Sequence, residues 1–320
     1  VPLPQRDDAS RRRGHATSLD SSTMGKASRR KGKENKRPLD PSQMPAPFVA
    51  RPFEGLAGET DWVAMREIVP SATAKVTFEV DGQEHEAVIA TILPMAWPGL
   101  RREDGDMMVA LQTGGGSGDA SRDLAAQLIA VTQLENGQPL PAPPRVSAAT
   151  PRLQDIITST TFEPTVHETF DFWIPEEHEI GEEASVSMED ANESIAPTAP
   201  IDGVDSAYWC LIGDRAFIRW VLPHDENKAT DALARLSASG KARMPENDDE
   251  GRLLGAFRAC GVLTPVWEVA TDRLPEQQAA PMAELAKAFD DAFASLETEP
   301  LTADERRARN GIVSRQITLR

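Results

Sequence analysis

The chain has 320 residues, 40% of them hydrophobic, with a formal net charge of −17, which is length for about two ordinary domains. That charge is split: residues 1–52 hold 12 Lys/Arg against 5 Asp/Glu, and the rest hold 22 against 46. An acidic body behind a basic arm is expected to stay in solution and to repel nucleic acid and anionic membrane, so any polyanion contact falls to the arm. No apolar run approaches the ~20 residues of a membrane span, and no apolar region follows the basic N-terminus as in a secretory signal. Cys210 and Cys260 lie apart in apolar settings ("AYWCLI", "AFRACGVL"), the pattern of buried free thiols in a reducing compartment. The location expected from these features is the cytoplasm, with no membrane contact, metal or cofactor.

Residues 1–52 are polar and non-periodic and are expected to be disordered. In "DWVAMREIV", Trp62, Met65 and Val69 share a helical face that Pro70 ends. Three strands are expected next: "KVTFEV" (75–80), "AVIATILP" (87–94) and "MMVALQT" (107–113), the first two joined at Asp81-Gly82. A helix follows the glycines, with Leu124, Leu128 and Val131 on one side, and stops at Asn136-Gly137. Residues 53–137 form a first subdomain, and a Pro-rich linker (138–152) leads to a second, 153–320. There "VHETFDFWI" (166–174) alternates like a strand, and "AYWCLIG" and "AFIRWVLP" make a hairpin across Gly213-Asp214. A helix is expected over 226–238, with Asp225 before it. The acidic stretch 176–205 lacks apolar periodicity and reads as a mobile loop. Asn247 and Glu250 cap an expected helix carrying Leu253, Phe257 and Cys260, and Pro265 assigns the strand "VLTPVWEV" to an edge or a bulge. Met282, Leu285, Phe289, Phe293 and Leu296 mark a long helix, and Thr302 with Glu305 a capping box for a last one. The fold class is α+β: two small subdomains, each of about three strands plus a helix, and a C-terminal helical part. Strand, strand, strand, helix occurs twice, as an internal duplication or as a coincidence of short α+β units.

The glycines of "LQTGGGSGDASRDLAAQL" stand between strand and helix, where phosphate loops stand. A Walker A loop needs Gly-Lys-Ser/Thr, but Gly118 is followed by Asp119-Ala120; after Gly116 and Gly118, the third glycine of a dinucleotide fingerprint is Ser121. Asp119 would cap the helix itself and repel phosphate, and Arg122 is a lone compensating charge. The stretch reads as a turn. Its alternative is a ligand site at Gly116, Gly118, Ser121 and Arg122. His167 and Asp171 have the spacing of a metalloprotease motif, but on a strand they stand ~13 Å apart and cannot share a metal. They read as a polar strand face that could line a cleft. In the arm, Arg29, Arg30, Lys31 and Lys33 are candidate nucleic-acid contacts.

The stretches "RPFEGLAGETDWVAMREIVPSATA", "LPMAWPGL", "LQTGGGSGDASRDLAAQL" and "VHETFDFWI" together resemble a family of uncharacterised actinobacterial proteins, from about residue 24 to the C-terminus. The resemblance implies a bacterial cytoplasmic setting and Met24 as the start, and it supplies no activity, ligand or catalytic residue. Relatives sometimes carry labels such as translocase ATPase SecA or topoisomerase. The lack of a Walker A loop and of a cysteine-rich zinc tail contradicts an ATPase label here.

Three readings stand. No complete catalytic or cofactor motif favours a non-catalytic binding or adaptor protein. A small-molecule enzyme would have its cleft between the subdomains, walled by Gly114–Arg122 and by His167 and Asp171. The third is nucleic-acid or ribosome binding, or an RNA or protein partner, through the arm.

Overall fold

Tight turns and period-2 apolar patterning build antiparallel hairpins that assemble into two five-stranded sheets. The computed structural model describes residues 40–175, 182–246 and 251–314. Residues 1–39 of the arm, with Arg29, Arg30, Lys31 and Lys33, lie outside the described residues. Residues 40–52 are placed, contrary to the disorder expected there, with a 3-10 helix at Pro41–Gln43 and Val49 N–H donating to the Gly118 carbonyl.

In the first sheet, β1 (Ala72–Val80) and β2 (Gln83–Ala90) meet at Asp81-Gly82. Both residues have positive φ, 53° and 77°, which suits a two-residue turn between twisted strands. Next come β3 (Gly99–Arg101), β4 (Met107–Ala110) and β5 (Thr165–Val166), in the spatial order β3-β4-β2-β1-β5. Every second residue of β1, from Ala72 to Phe78, is buried on the inner face. Against it pack α1 (Glu59–Glu67), α2 (Ala120–Val131) and α3 (Leu153–Ile156). Residues 153–166 thus pack with the first sheet.

The second sheet contains β6 (Thr198–Pro200), β7 (Ala207–Ile212), β8 (Arg215–Trp220), β9 (Arg252–Ala259) and β10 (Val262–Val269), ordered β6-β7-β8-β10-β9. One face carries Trp209, Ile218, Trp220 and Trp267. It is covered by α5 (Glu226–Ala238), α6 (Ala279–Ser295) and α7 (Ala303–Ser314) through Leu233, Leu285, Phe289 and Ile312. The other face gives Tyr208, Val221 and Val262 to the core that holds Trp62 and Met65 of α1. The class is α+β, with α1 joining the two layers. Asp225 caps α5, and Thr302 and Glu305 form the reciprocal capping box of α7, at 3.2 and 2.7 Å.

Four expectations are corrected. Residues 252–259 form β9, not a helix. Leu254 is bulged where Val266 and Trp267 face Gly255 and Leu253, and that bulge hides the strand's alternation. Of the two places expected for Pro265, the edge is excluded, because β10 runs between β8 and β9, while the bulge at Val266 and Trp267 lies directly after it. Of "VHETFDFWI", only Val166 is strand. His167 still donates its N–H to Ser71, and the chain then turns into a short 3-10 helix at Asp171–Trp173. The acidic stretch includes a helix, α4 (Glu182–Glu193), and strand β6, while residues 176–181 lie outside the described ones.

The expected strand, strand, strand, helix repeat does not hold, since "VHETFDFWI" is not a strand and α5 precedes β9 and β10, although the spatial orders β3-β4-β2-β1 and β9-β10-β8-β7 correspond. The polarity differs, since β4 runs parallel to β2 and β10 antiparallel to β8. The two sheets therefore do not share one topology.

Candidate functional site

Asp119 is the N-cap of α2 and accepts from Ser121 N–H at 3.2 Å. Its carboxylate is fully buried and lies 3.3 Å from Arg122 Nε and 3.1 Å from Arg152 Nε. Arg122 also donates to the Thr150 carbonyl. Ser121 Oγ donates to Gln154 at 2.6 Å and accepts from Leu153 N–H at 2.8 Å. Ser117 N–H donates to both oxygens of Asp123 at 3.1 Å, and a Cβ on Gly116 would stand 2.8 Å from that carboxylate. Gly118 accepts from Val49 N–H at 3.0 Å. Carboxylates of the chain itself thus occupy the place an anion would take. Polar side chains at the start of α2 fasten residues 150–154 to it.

His167 and Asp171 lie elsewhere. The inner face of β1 is core, while its outer-face residues Thr73 and Lys75, with Val88 of β2 and Met108 of β4, floor a cavity of about 680 Å³. Its roof is the segment after β5, through Asp171, Phe172, Ile174 and Pro175, and its rim includes Arg102, Asp104 and Asp106. The roof is held at several points. Trp173 Nε1 donates to the Ile92 carbonyl at 3.0 Å, Ser71 Oγ to that of Thr169 at 2.8 Å, and Arg102 to that of Phe172 at 3.3 Å. Trp173 and Phe172 pack on Leu93, Leu100 and Met108 in a small separate core. Arg102 also binds Asp104 at 2.8 Å and Asp106 at 2.5 Å. His167 Nε2 lies 2.7 Å from Thr73 Oγ1, and its ring is 4.9 Å from that of Phe172. Burial holds its pKa below the usual imidazole value, favouring the neutral ring.

Gly116 and Gly118 of the one candidate set and Asp171 of the other therefore line different cavities, while Ser121, Arg122 and His167 line neither. Gly115, Gly116 and Gly118 border a groove of about 560 Å³ with Arg66, Arg258 and Cys260. Neither His167 nor Asp171 lines it. The Cys260 thiol is pushed up to about 12 by burial and by Glu67, so it is a poor nucleophile at neutral pH. Sequence reasoning missed Thr73, Lys75, Arg102, Asp106 and Phe172. The polar residues alternating with apolar ones along β1 marked its outer face, but nothing local indicated that a segment ninety residues later would roof it. Among the described residues, no group of three or more His, Cys, Asp or Glu side chains is placed to hold a metal ion, and no helix is long and apolar enough to cross a membrane.

Residues 52–320 match the model of a family of unknown function (DUF5926), and the chain belongs to that family. No curated protein and no solved structure matches it.

Proposed function

We propose that this member of an uncharacterised family is a non-catalytic binding protein whose ligand occupies the roofed cavity on the outer face of the first sheet. The observation that carries this reading is the lining. Val88 and Met108 in the floor and Phe172, Ile174 and Pro175 in the roof meet five charged groups, Lys75, Arg102, Asp104, Asp106 and Asp171, and the Asp171 carboxylate has no partner among the described residues. The volume, about 680 Å³, is that of small-molecule binding sites. Apolar contact from Val88, Met108 and Phe172 suits an uncharged body. The rim, with Asp104, Asp106 and Asp171 against Lys75 and Arg102, suits a ligand with an amine or another polar head. The glycine turn is a poorer candidate, because its side chains are already engaged. A cytoplasmic setting accords with two free cysteines.

Soaking crystals with a library of small amines and aromatic fragments tests the reading. Fragments are expected in the cavity of the wild type and absent from Val88→Trp, which fills the floor from an outward-facing strand position. Fragments found only in other grooves would refute it.

One observation favours a second reading. The 2.7 Å contact between Thr73 Oγ1 and His167 Nε2 pairs a hydroxyl with a neutral imidazole, as nucleophilic catalysis requires. No carboxylate among the described residues orients that ring, so binding remains ahead. His167→Gln keeps fragment binding under the first reading and abolishes turnover under the second. The basic arm adds a separate proposal, contact with RNA or an acidic protein through Arg29, Arg30, Lys31 and Lys33.

A further inference from the structure

Arg219 places a charge in the middle of an otherwise apolar strand, "AFIRWVL". It lies opposite Tyr208 of β7 and Val266 of β10. Alternation puts it on the face of the second sheet that gives Tyr208 and Val221 to the shared core. The residue is 7% exposed. A guanidinium keeps its proton in proteins, and burying it without a counter-charge is strongly unfavourable. Other shielded arginines find acceptors: Arg122 and Arg152 share Asp119, Arg235 takes Glu305, Arg102 takes Asp104 and Asp106, and Arg101 donates to the carbonyls of Gly105 and Leu134. Among the described residues, no carboxylate lies within ion-pair distance of Arg219, and its buried Nε has no acceptor.

Two further polar groups share that face. Cys210, two residues after Tyr208, brings its thiol to the guanidinium; the Arg219 charge pulls the thiol's pKa down against the larger upward effect of burial. A thiol is a weak acceptor and no substitute for a carboxylate. Thr264, two residues before Val266, is fully buried, and its hydroxyl also has no partner. Buried polar groups left over in this way mark the place of a group the chain does not itself supply.

We propose that Arg219 is the anchor of an oxyanion site in the second sheet, taking a phosphate or carboxylate group of a small ligand, with the Thr264 hydroxyl as a second donor. Arginine pairs with both kinds of anion through parallel N–H donors. The site is independent of the outer-face cavity, which belongs to the first sheet.

Thermal unfolding of the full chain in chloride, inorganic phosphate and acetate, at one pH and one ionic strength, tests it. Phosphate or acetate is expected to raise the wild-type Tm saturably, and the more effective of the two identifies the ligand's head group. Arg219→Met, similar in volume but uncharged, is expected to lose that response and to be at least as stable as the wild type in chloride. Thr264→Val should keep the fold and bind the anion several-fold more weakly. Equal responses of wild type and Arg219→Met would overturn the proposal, as would a destabilised Arg219→Met in a protein that ignores both anions. If Arg219→Met does not fold, calorimetric titration of the wild type with phosphate and acetate decides: saturable binding that Thr264→Val weakens supports the site, and its absence refutes it.

Discussion

Asp119 and Asp61 show how single carboxylates hold this molecule together. Asp119 joins the cap of α2 to Arg122 and Arg152. Asp119→Ala leaves both guanidinium groups without that partner, so it is expected to cost about 3–5 kcal/mol in urea unfolding. Asp119→Asn, which retains a capping oxygen, should lose less. A phosphate loop would behave in the opposite way, gaining anion affinity when this acid is removed. Asp61 joins α1 to the second sheet through Ser206 Oγ at 2.6 Å and Tyr208 Oη at 3.5 Å. Burial, and then the charge of Asp205, hold its pKa above the usual carboxylate value, against the hydrogen bonds of Ser206 and Tyr208. The folded state therefore binds this proton more tightly than the unfolded one. Its contribution to stability is present below the unfolded pKa and is lost as pH rises through the raised folded value. Urea midpoints from about pH 3.5 to 7 should show wild type declining relative to Asp61→Asn across that window. A constant difference would mean that Asp61 titrates normally.

At the scale of elements, the hairpin between β9 and β10 turns at Cys260 and Gly261, both with positive φ. A Cβ on Gly261 would stand 2.5 Å from the Ala50 carbonyl, whereas one on Gly213, also at positive φ, would meet nothing within 4 Å. Gly213→Ala is expected to cost about 1–2 kcal/mol from backbone strain alone. Gly261→Ala should cost clearly more, by urea unfolding, because residues 50 and 51 must also move. Equal costs would show that the 50–52 segment yields freely. The elements legible in the sequence were those whose signals are local. Asp225 and the apolar spacing of 226–238 specify α5, Thr302 and Glu305 the start of α7, and Asp81-Gly82 the first hairpin. Strand β9 was not legible, because Leu253, Leu254, Ala256 and Phe257 fit a helical face as well as a strand with a bulge. The fate of residues 167–174 was set by distant partners, Ile92 and Arg102, which no window around Phe170 contains. His167 and Asp171 were therefore placed on the wrong backbone, and the cavity between Asp171 and β1 could not be read in advance.

At the scale of the whole molecule, charge and shape divide the work. The remainder of the chain is acidic, net −24 beyond residue 52 by composition, so the polyanion contact proposed above would fall to the arm. Binding of single-stranded RNA by the full chain is expected to fall steeply with salt. It should disappear when Arg29, Arg30, Lys31 and Lys33 are all replaced by Ala; retention by that variant would assign the contact to the body. For the described residues, the central proposal is that the first sheet is a binding platform. Native mass spectrometry of the full chain, purified at low salt from its own host, tests this most directly, with Val88→Trp prepared in parallel. A stoichiometric small mass on the wild type, lost on denaturation and absent from Val88→Trp, is the predicted result. The same mass on both proteins, or a bare mass for both, would contradict the account.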